Sequence, residues 1–141
     1  MTAKEYLKQA YRLNERINSN MMELEELQQM VLTITAPRFG DKVQTSPNGE
    51  ASFERTIWKI MELQEKVNRE IDTYADLMHE VHTVISTVSD VEEQLVLKNR
   101  YINNMTWAAI GAEMNADEST IRRWHDRAIA HVVLPDNAIR I

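Results

Sequence analysis

The sequence predicts an all-α protein, in which a long antiparallel helical hairpin is followed by a C-terminal trihelical helix-turn-helix head. Two long stretches carry apolar residues at heptad spacing, and a segment that contains proline and glycine separates them. Two short amphipathic segments follow one another near the C-terminus. The predicted ranges are 1–89 for the hairpin with its loop at 35–52, 90–134 for the head and 135–141 for a tail.

The first predicted helix runs from Ala3 to Ile34. Its apolar residues recur after three and four residues in alternation, and no proline or glycine interrupts them. The seam consists of Ala3, Tyr6, Ala10, Leu13, Ile17, Asn20, Leu24, Leu27, Val31 and Ile34. A repeat of 3.5 residues keeps such a stripe facing a partner helix, so the spacing is typical of a coiled coil or a long hairpin.

A break and a second helix follow. Pro37, Gly40, Pro47 and Gly49 predict a loop over residues 35–52. Helical spacing resumes at Phe53, and the second seam consists of Ile57, Ile60, Gln64, Val67, Ile71, Tyr74, Met78, Val81, Ile85 and Val88. Two helices of matching period joined by one loop are expected to fold back as an antiparallel hairpin.

Each seam contains one polar residue, Asn20 or Gln64. We favour the interpretation that each of these residues faces water at a widened edge or bonds a neighbour. The alternative is that they fix the register of a dimer. Further apolar residues broaden the stripes beyond what two helices can bury, and they are Met21, Met22, Trp58, Met61 and Leu63. We therefore expect self-association, with a homodimer as the simplest closed outcome.

The helices of the predicted head are indicated by capping residues. Ser89 or Asp90 is placed to cap the helix that leads into the head, and Thr106 is placed to cap the next. The apolar face of that next helix is formed by Trp107, Ile110 and Met114. Asn115 is expected to end it, because asparagine tolerates the left-handed conformation that a sharp turn requires.

A last helix is predicted to start at once. Asp117 is expected to accept hydrogen bonds from the amides of its first turn, and Gly111 stands where two crossing helices leave no room for a side chain. The apolar stripe of this helix consists of Ile121, Trp124 and Ala128. The opposite face carries Ser119, Thr120, Arg122, Arg123 and Arg127. Helix, tight turn and helix form the helix-turn-helix pattern.

This pattern nominates residues for DNA contact, because the first turns of the second helix reach base edges in the major groove. The candidate base-reading residues are Glu118, Ser119, Thr120, Arg122 and Arg123. Arg127 lies further along the helix and is expected to meet phosphate. Thr106 opens the preceding helix, which crosses the DNA backbone in this motif.

Residues 95–130 resemble the fourth conserved region of bacterial sigma factors. The matching features are Arg100-Tyr101 at the end of one helix, Thr106 at the start of the next, and Ile110-Gly111-Ala112-Glu113-Met114 before the turn. The chain is also similar to a family of small phage and prophage proteins of Gram-positive bacteria that open with a motif like Thr2-Ala3-Lys4-Glu5-Tyr6-Leu7. Asn115 and Asp117 depart from the Gly and Ser that are usual at those positions. The resemblance implies a transcriptional regulator that binds double-stranded promoter or operator DNA and, through its sigma-like region, RNA polymerase.

Two alternatives stay open. Small terminase subunits, which package DNA, also join a helix-turn-helix to long oligomerising helices. The second alternative is a protein-interaction or inhibitor module that does not bind DNA. It stays open because the negative charges of Asp117, Glu118 and Asp126 offset the positive charges of the arginines in the last helix. The net charge of −6 also counts against a non-specific nucleic-acid coat.

We expect neither an enzyme nor a cofactor or metal site. The chain has no cysteine, so disulfides and thiolate ligands are excluded. His79 and His82 are three residues apart without a metalloprotease motif, so we favour solvated side chains for these two histidines. His125 and His131 stand alone. No apolar run approaches the ~18 residues that a membrane span requires, which predicts a cytoplasmic protein.

Overall fold

The computed structural model describes residues 1–35 and 47–141, and the fold is all-α over these ranges. The helices are α1 (Ala3–Thr35), α2 (Pro47–Ser86), α3 (Val91–Leu97), α4 (Trp107–Met114) and α5 (Glu118–His131). A π-helical turn, Lys98–Ile102, follows α3 directly. Within the described ranges, no helix combines the length and the apolar character that crossing a bilayer requires.

The observed helix limits correct the sequence prediction at two points. Residues 47–52 were assigned to the loop, but α2 already begins at Pro47. Proline is favoured in the first helical position, because an N–H at that position would have no acceptor within the helix. Thr35 was also assigned to the loop, but it is the last residue of α1. The rest of the predicted loop, residues 36–46, lies outside the described residues. The last helix, α5, ends at His131, and the backbone of Val132 is extended.

The chain is divided into two compact units. The first unit consists of residues 1–14 and 73–141, and the second of residues 15–72. The division drawn from the sequence falls at residues 89 and 90 instead, so the start of α1 joins the C-terminal helices in a way that the sequence division did not include.

The main core of the first unit joins α1 and α2 to the C-terminal helices. Its largest side chains with no exposed surface include Tyr6, Leu77 and Leu97. The cluster consists of Tyr6, Leu7, Ala10, Leu77, Val81, Val84, Ile85, Val88, Leu97, Tyr101 and Ala128. Five of these eleven residues belong to the predicted seams, namely Tyr6, Ala10, Val81, Ile85 and Val88, so the heptad spacing identified part of the buried face.

A smaller core lies beneath α4 and α5. Val96, Ile110 and Ile121 have no exposed surface there. The partly buried residues packed against them are Met105, Trp107, Met114, Ala116 and Trp124. The predicted apolar faces of the two short helices therefore meet in one cluster.

Residues 135–141, predicted to be a tail, are held to the rest of the first unit by hydrogen bonds. The backbone N–H of Ile139 donates to Glu80 Oε1 over 3.0 Å, and Gln9 Nε2 donates to the Ile139 carbonyl over 2.9 Å. The N–H of Ile141 donates to Gln9 Oε1 over 2.8 Å. Leu134 also packs against the main core. The side chains of Gln9 and Glu80, far away in the sequence, thus bond the backbone of the C-terminal residues.

In the second unit, polar contacts supplement a thin apolar seam. Ile17 and Val67 are buried, with 6 % and 4 % of their surface exposed. Asn20 Nδ2 donates to Glu70 Oε1 over 2.6 Å, and Arg16 lies 4.0 Å from the other Glu70 oxygen. Gln64 is exposed. Asn20 therefore bonds a neighbour and Gln64 faces water, as the favoured interpretation predicts.

Candidate functional site

The first side of the candidate site is α4, whose start is fixed by its cap. Thr106 has an extended backbone, and its hydroxyl oxygen accepts the N–H of Ala109 over 3.2 Å. This is the predicted N-cap, and it satisfies one of the amides that a helix start leaves unpaired. The capping bond uses Thr106 Oγ1 as an acceptor, so the hydroxyl proton stays available for a further acceptor.

A three-residue turn leads from α4 to α5. Asn115 is in the left-handed region with φ 54° and ψ 44°, as predicted for the end of α4. The N–H of Ala116 donates to the Gly111 carbonyl over 3.0 Å, which closes the turn against the helix. Asp117 is extended again and α5 begins at Glu118. Two helices in mutual contact are thereby joined without a flexible connection.

Gly111 is required by this turn rather than by a crossing of helices, which corrects the reason given from the sequence. A Cβ placed on Gly111 would lie 2.6 Å from the backbone oxygen of Ala116. That distance is far inside van der Waals contact, and the atom it meets belongs to the main chain. Any side chain at position 111 would therefore displace the turn that orients α5.

Asp117 does not cap α5 in the predicted way. Its carboxylate makes no hydrogen bond to the amides of the first turn. It accepts instead from the hydroxyls of Thr120 and Ser119, the latter over 3.2 Å. The hydrogen bonds from these two hydroxyls lower the pKa of Asp117, and the bond from Thr120 has the larger effect. The nearby hydroxyls compete successfully with the amides, and the negative charge still lies at the positive end of the helix.

The nominated base-reading residues form a polar network on the exposed side of α5. Arg122 Nη2 lies 3.0 Å from Glu118 Oε1, and both side chains are more than half exposed. Arg123 Nη2 donates to Thr120 Oγ1 over 3.2 Å. Arg127 is exposed as well. Exposed ion pairs of this type contribute little stability, so these side chains can exchange partners for a ligand at low cost.

Two arginines lie against the indole of Trp107. Arg100 Cζ is 4.3 Å and Arg122 Cζ 5.5 Å from the centre of the ring. Arg100 Nη1 also donates to the Met105 carbonyl over 2.9 Å. Trp107 is partly buried in the smaller core, as predicted for a packing residue, and it additionally orients two guanidinium groups. Arg100 belongs to the residues that resemble the sigma-factor region, but it was not predicted to be a site residue.

The two histidines of α5 have specific partners, contrary to the expectation that they stand alone. His125 is 3 % exposed, and its Nε2 lies 2.6 Å from the Tyr101 hydroxyl. Its ring meets Trp107 edge to face with centroids 4.8 Å apart. Burial lowers the pKa of His125 and raises that of Tyr101 to about 12, so Tyr101 donates to a neutral imidazole.

His131 pairs with a buried carboxylate. Its Nδ1 lies 2.7 Å from Glu93 Oε2, and Glu93 is 3 % exposed. Glu93 belongs to α3, whose predicted N-cap, Asp90, accepts the Glu93 N–H over 3.0 Å. The pair joins α3 to the end of α5, and a separation of 38 residues explains why spacing gave no sign of it.

Comparison with models of protein families, with curated proteins and with solved structures finds no significant match.

Proposed function

We propose that this chain is a DNA-binding transcriptional regulator of the phage and prophage type, in which α3, α4 and α5 form a sigma region-4-like helix-turn-helix head. In this proposal α5 enters the major groove of promoter or operator DNA, and α4 crosses the backbone. RNA polymerase is the further partner that the resemblance implies.

The observation that carries the proposal is the rigid turn between α4 and α5. A helix can read base edges only if its orientation is fixed relative to the helix that contacts the backbone. Asn115 in the left-handed region, the bond from Ala116 to Gly111 and the absence of a side chain at position 111 fix that orientation. The shared apolar cluster of Ile110 and Ile121 holds the helices together on the other side.

The exposed face of α5 carries suitable chemistry for direct readout. Arginine donates two hydrogen bonds to guanine, and hydroxyls contact several bases. Arg122 and Arg123 are exposed in the first half of α5, and Ser119 is exposed in its first turn. Glu118 can accept from the amino group of cytosine, although its charge repels phosphate. We therefore expect selective binding of moderate strength.

A net charge of −6 requires additional sources of affinity, and the proposed homodimer provides one. Two linked heads bind two half-sites, so that the second contact becomes effectively intramolecular. The proposed interface is the second unit, where large apolar side chains of both helices are exposed. They include Met21, Met22, Met30, Leu32, Ile34, Trp58, Met61 and Ile71, with 43–66 % of their surface accessible. A second copy is the occupant that two heptad stripes fit best.

Selection from a random duplex library tests the proposal. The purified chain is mixed with duplexes of random sequence, about two turns of DNA long, bound duplexes are recovered, and affinity is measured by fluorescence anisotropy at two salt concentrations. We expect one enriched sequence family. Arg123→Ala should cost about 1–3 kcal/mol for that sequence and relax the preference, whereas Arg127→Ala should weaken all duplexes alike.

Both variants are expected to stay folded, because neither side chain belongs to the buried stripe of α5. If the parent binds an enriched duplex and Arg122→Ala, Arg123→Ala and Arg127→Ala all keep its affinity, α5 is not the reading helix. If the parent binds no duplex even at low salt, the chain is not a DNA-binding regulator.

A further inference from the structure

A groove in the first unit concentrates positive charge. It has a volume of about 590 Å³, and we call it the basic groove. Five cations line it: Lys4, Lys8, Arg12, Arg100 and Arg122. No carboxylate is among its lining residues in the described part of the chain, although the sequence has 22 acidic and 16 basic residues. This local excess is opposite in sign to the charge of the whole chain.

The N-terminal part of α1 provides three of these cations. Lys4, Lys8 and Arg12 recur every four residues, so they share one exposed face of the helix. Like charges at this spacing destabilise a helix. Within the described residues none of the three forms an ion pair that would offset the repulsion. A bound polyanion would remove this repulsion.

The other two cations are held by Trp107. The guanidinium groups of Arg100 and Arg122 lie within 5.5 Å of the indole centre, and Arg100 is further fixed by its bond to the Met105 carbonyl. Thr106 also lines the groove, and its hydroxyl marks the positive end of α4. Guanidinium groups oriented in advance lose little entropy when they bind phosphate.

We propose that the basic groove binds the phosphodiester backbone of DNA beside the base pairs that α5 contacts, so that α1 adds phosphate contacts from outside the helix-turn-helix. This inference rests on the proposed function. Arg122 lines the groove and also belongs to the exposed face of α5, so the groove and the proposed reading surface share this residue.

The spread of the cations favours a polymer over a small anion. Lys4 and Arg12 are eight residues apart, which is about 12 Å along a helix. A single phosphate group would require donors that converge on one point. A DNA strand carries a charge about every 3.4 Å of helix axis and therefore meets cations that are distributed along a line.

The test compares two triple variants of equal charge. Lys4→Ala/Lys8→Ala/Arg12→Ala removes the α1 cations of the groove. The matched control, Lys59→Ala/Lys66→Ala/Arg140→Ala, removes two lysines and one arginine that are exposed elsewhere. Anisotropy is measured with the selected duplex, a scrambled duplex and a fluorescent polyglutamate peptide, at salt concentrations of about 50–200 mM. Circular dichroism verifies that both variants are folded.

We expect the groove variant to lose roughly tenfold or more in affinity for both duplexes, and its salt dependence to become shallower by about one for each phosphate that is no longer neutralised. The control variant should change much less. A groove variant that binds both duplexes like the control overturns the inference while the reading role of α5 stands.

Other outcomes also contradict the inference. A reduction confined to the selected duplex means that these residues read bases rather than phosphates. If the groove variant keeps its DNA affinity but no longer binds the polyglutamate peptide, the groove takes an acidic protein segment. If the parent itself binds neither duplex, the proposed function fails and the inference fails with it.

Discussion

The two compact units use their apolar residues differently. In the first unit, side chains such as Leu7, Ile85 and Leu97 have no exposed surface. In the second unit, Ile17 and Val67 are the buried apolar residues among those described, whereas Met22 and Trp58 are about two thirds exposed. The same heptad spacing thus produces a complete core in one unit and an incompletely covered one in the other.

The difference shows that periodicity predicts which face of a helix is apolar, not what covers that face. In the first unit the C-terminal helices cover the seam, with Leu97, Tyr101 and Ala128 in the same cluster as Tyr6 and Leu77. Such packing is worth about 25 cal/mol for each Å² of apolar surface removed from water. The second unit buries less apolar surface. In the proposed homodimer, a second copy of the chain would cover the rest.

The largest expected effect is the removal of a core side chain in the first unit. Leu97→Ala truncates a residue with no exposed surface, and we expect the free energy of unfolding to fall by about 2–5 kcal/mol. Leu95→Ala, two residues earlier and 44 % exposed, should cost less than about 1 kcal/mol. Urea denaturation followed by circular dichroism measures both, and equal decreases would show that Leu97 is not in the core.

The second prediction concerns the turn between α4 and α5. Helix propensity alone would make Gly111→Ala stabilising by about 0.8–1.0 kcal/mol. Because the new Cβ would lie 2.6 Å from the Ala116 oxygen, we expect destabilisation of about 1–3 kcal/mol instead. The sign of the change in the unfolding free energy decides between these effects. Ala112→Gly at the exposed neighbouring position is the control, and its destabilisation should follow propensity.

Local signals predicted the elements, whereas contacts between distant residues determine the partners of the histidines and the position of the C-terminus. Thr106, Asn115 and Asp90 act within four residues of their own positions, so short motifs were sufficient to assign them. The partners of His125 and His131 are 24 and 38 residues away, and no spacing rule connects them. The docking of the C-terminus depends on Gln9, which lies 130 residues before Ile139.

The basic groove shows the same limit at the candidate site. The residues of α5 were found because one helix face can be read from spacing. Lys4, Lys8 and Arg12 share a helical spacing that was also visible in the sequence, but tertiary folding brings them beside Arg100 and Arg122. The net charge of the chain gave no indication of the basic groove, because acidic residues elsewhere outnumber the basic residues.

The third prediction tests the incompletely covered unit. Met22→Glu and Met61→Glu place charges on two exposed apolar positions, 66 % and 54 % accessible in the single chain. In a dimer interface each should raise the dissociation constant roughly tenfold or more, because a buried unpaired charge is costly. Sedimentation equilibrium measures the change, with Val91→Glu in the first unit as a control. A parent that is monomeric at high micromolar concentration would rule out the proposed dimer.

The smallest expected effect comes from the buried imidazole of the first unit. Burial lowers the pKa of His125 from its usual value of 6.5, Asp126 opposes this shift, and nearby Lys4 and Arg100 reinforce it. The unfolded chain therefore takes up this proton at a higher pH than the folded chain. Stability should consequently decrease as the pH falls through 6.5, and the contribution of this group should be fully present above that value.

Replacement of His125 isolates this contribution. The His125→Gln variant keeps a group that can accept the Tyr101 hydroxyl but does not titrate, so its melting temperature should fall less than that of the parent between about pH 7.5 and 5.5. His82→Gln, at an exposed position, should keep the full pH dependence of the parent. If His125→Gln and the parent decline equally, the imidazole takes up its proton at the same pH in the folded and unfolded chains, and its burial has no influence on stability in this range.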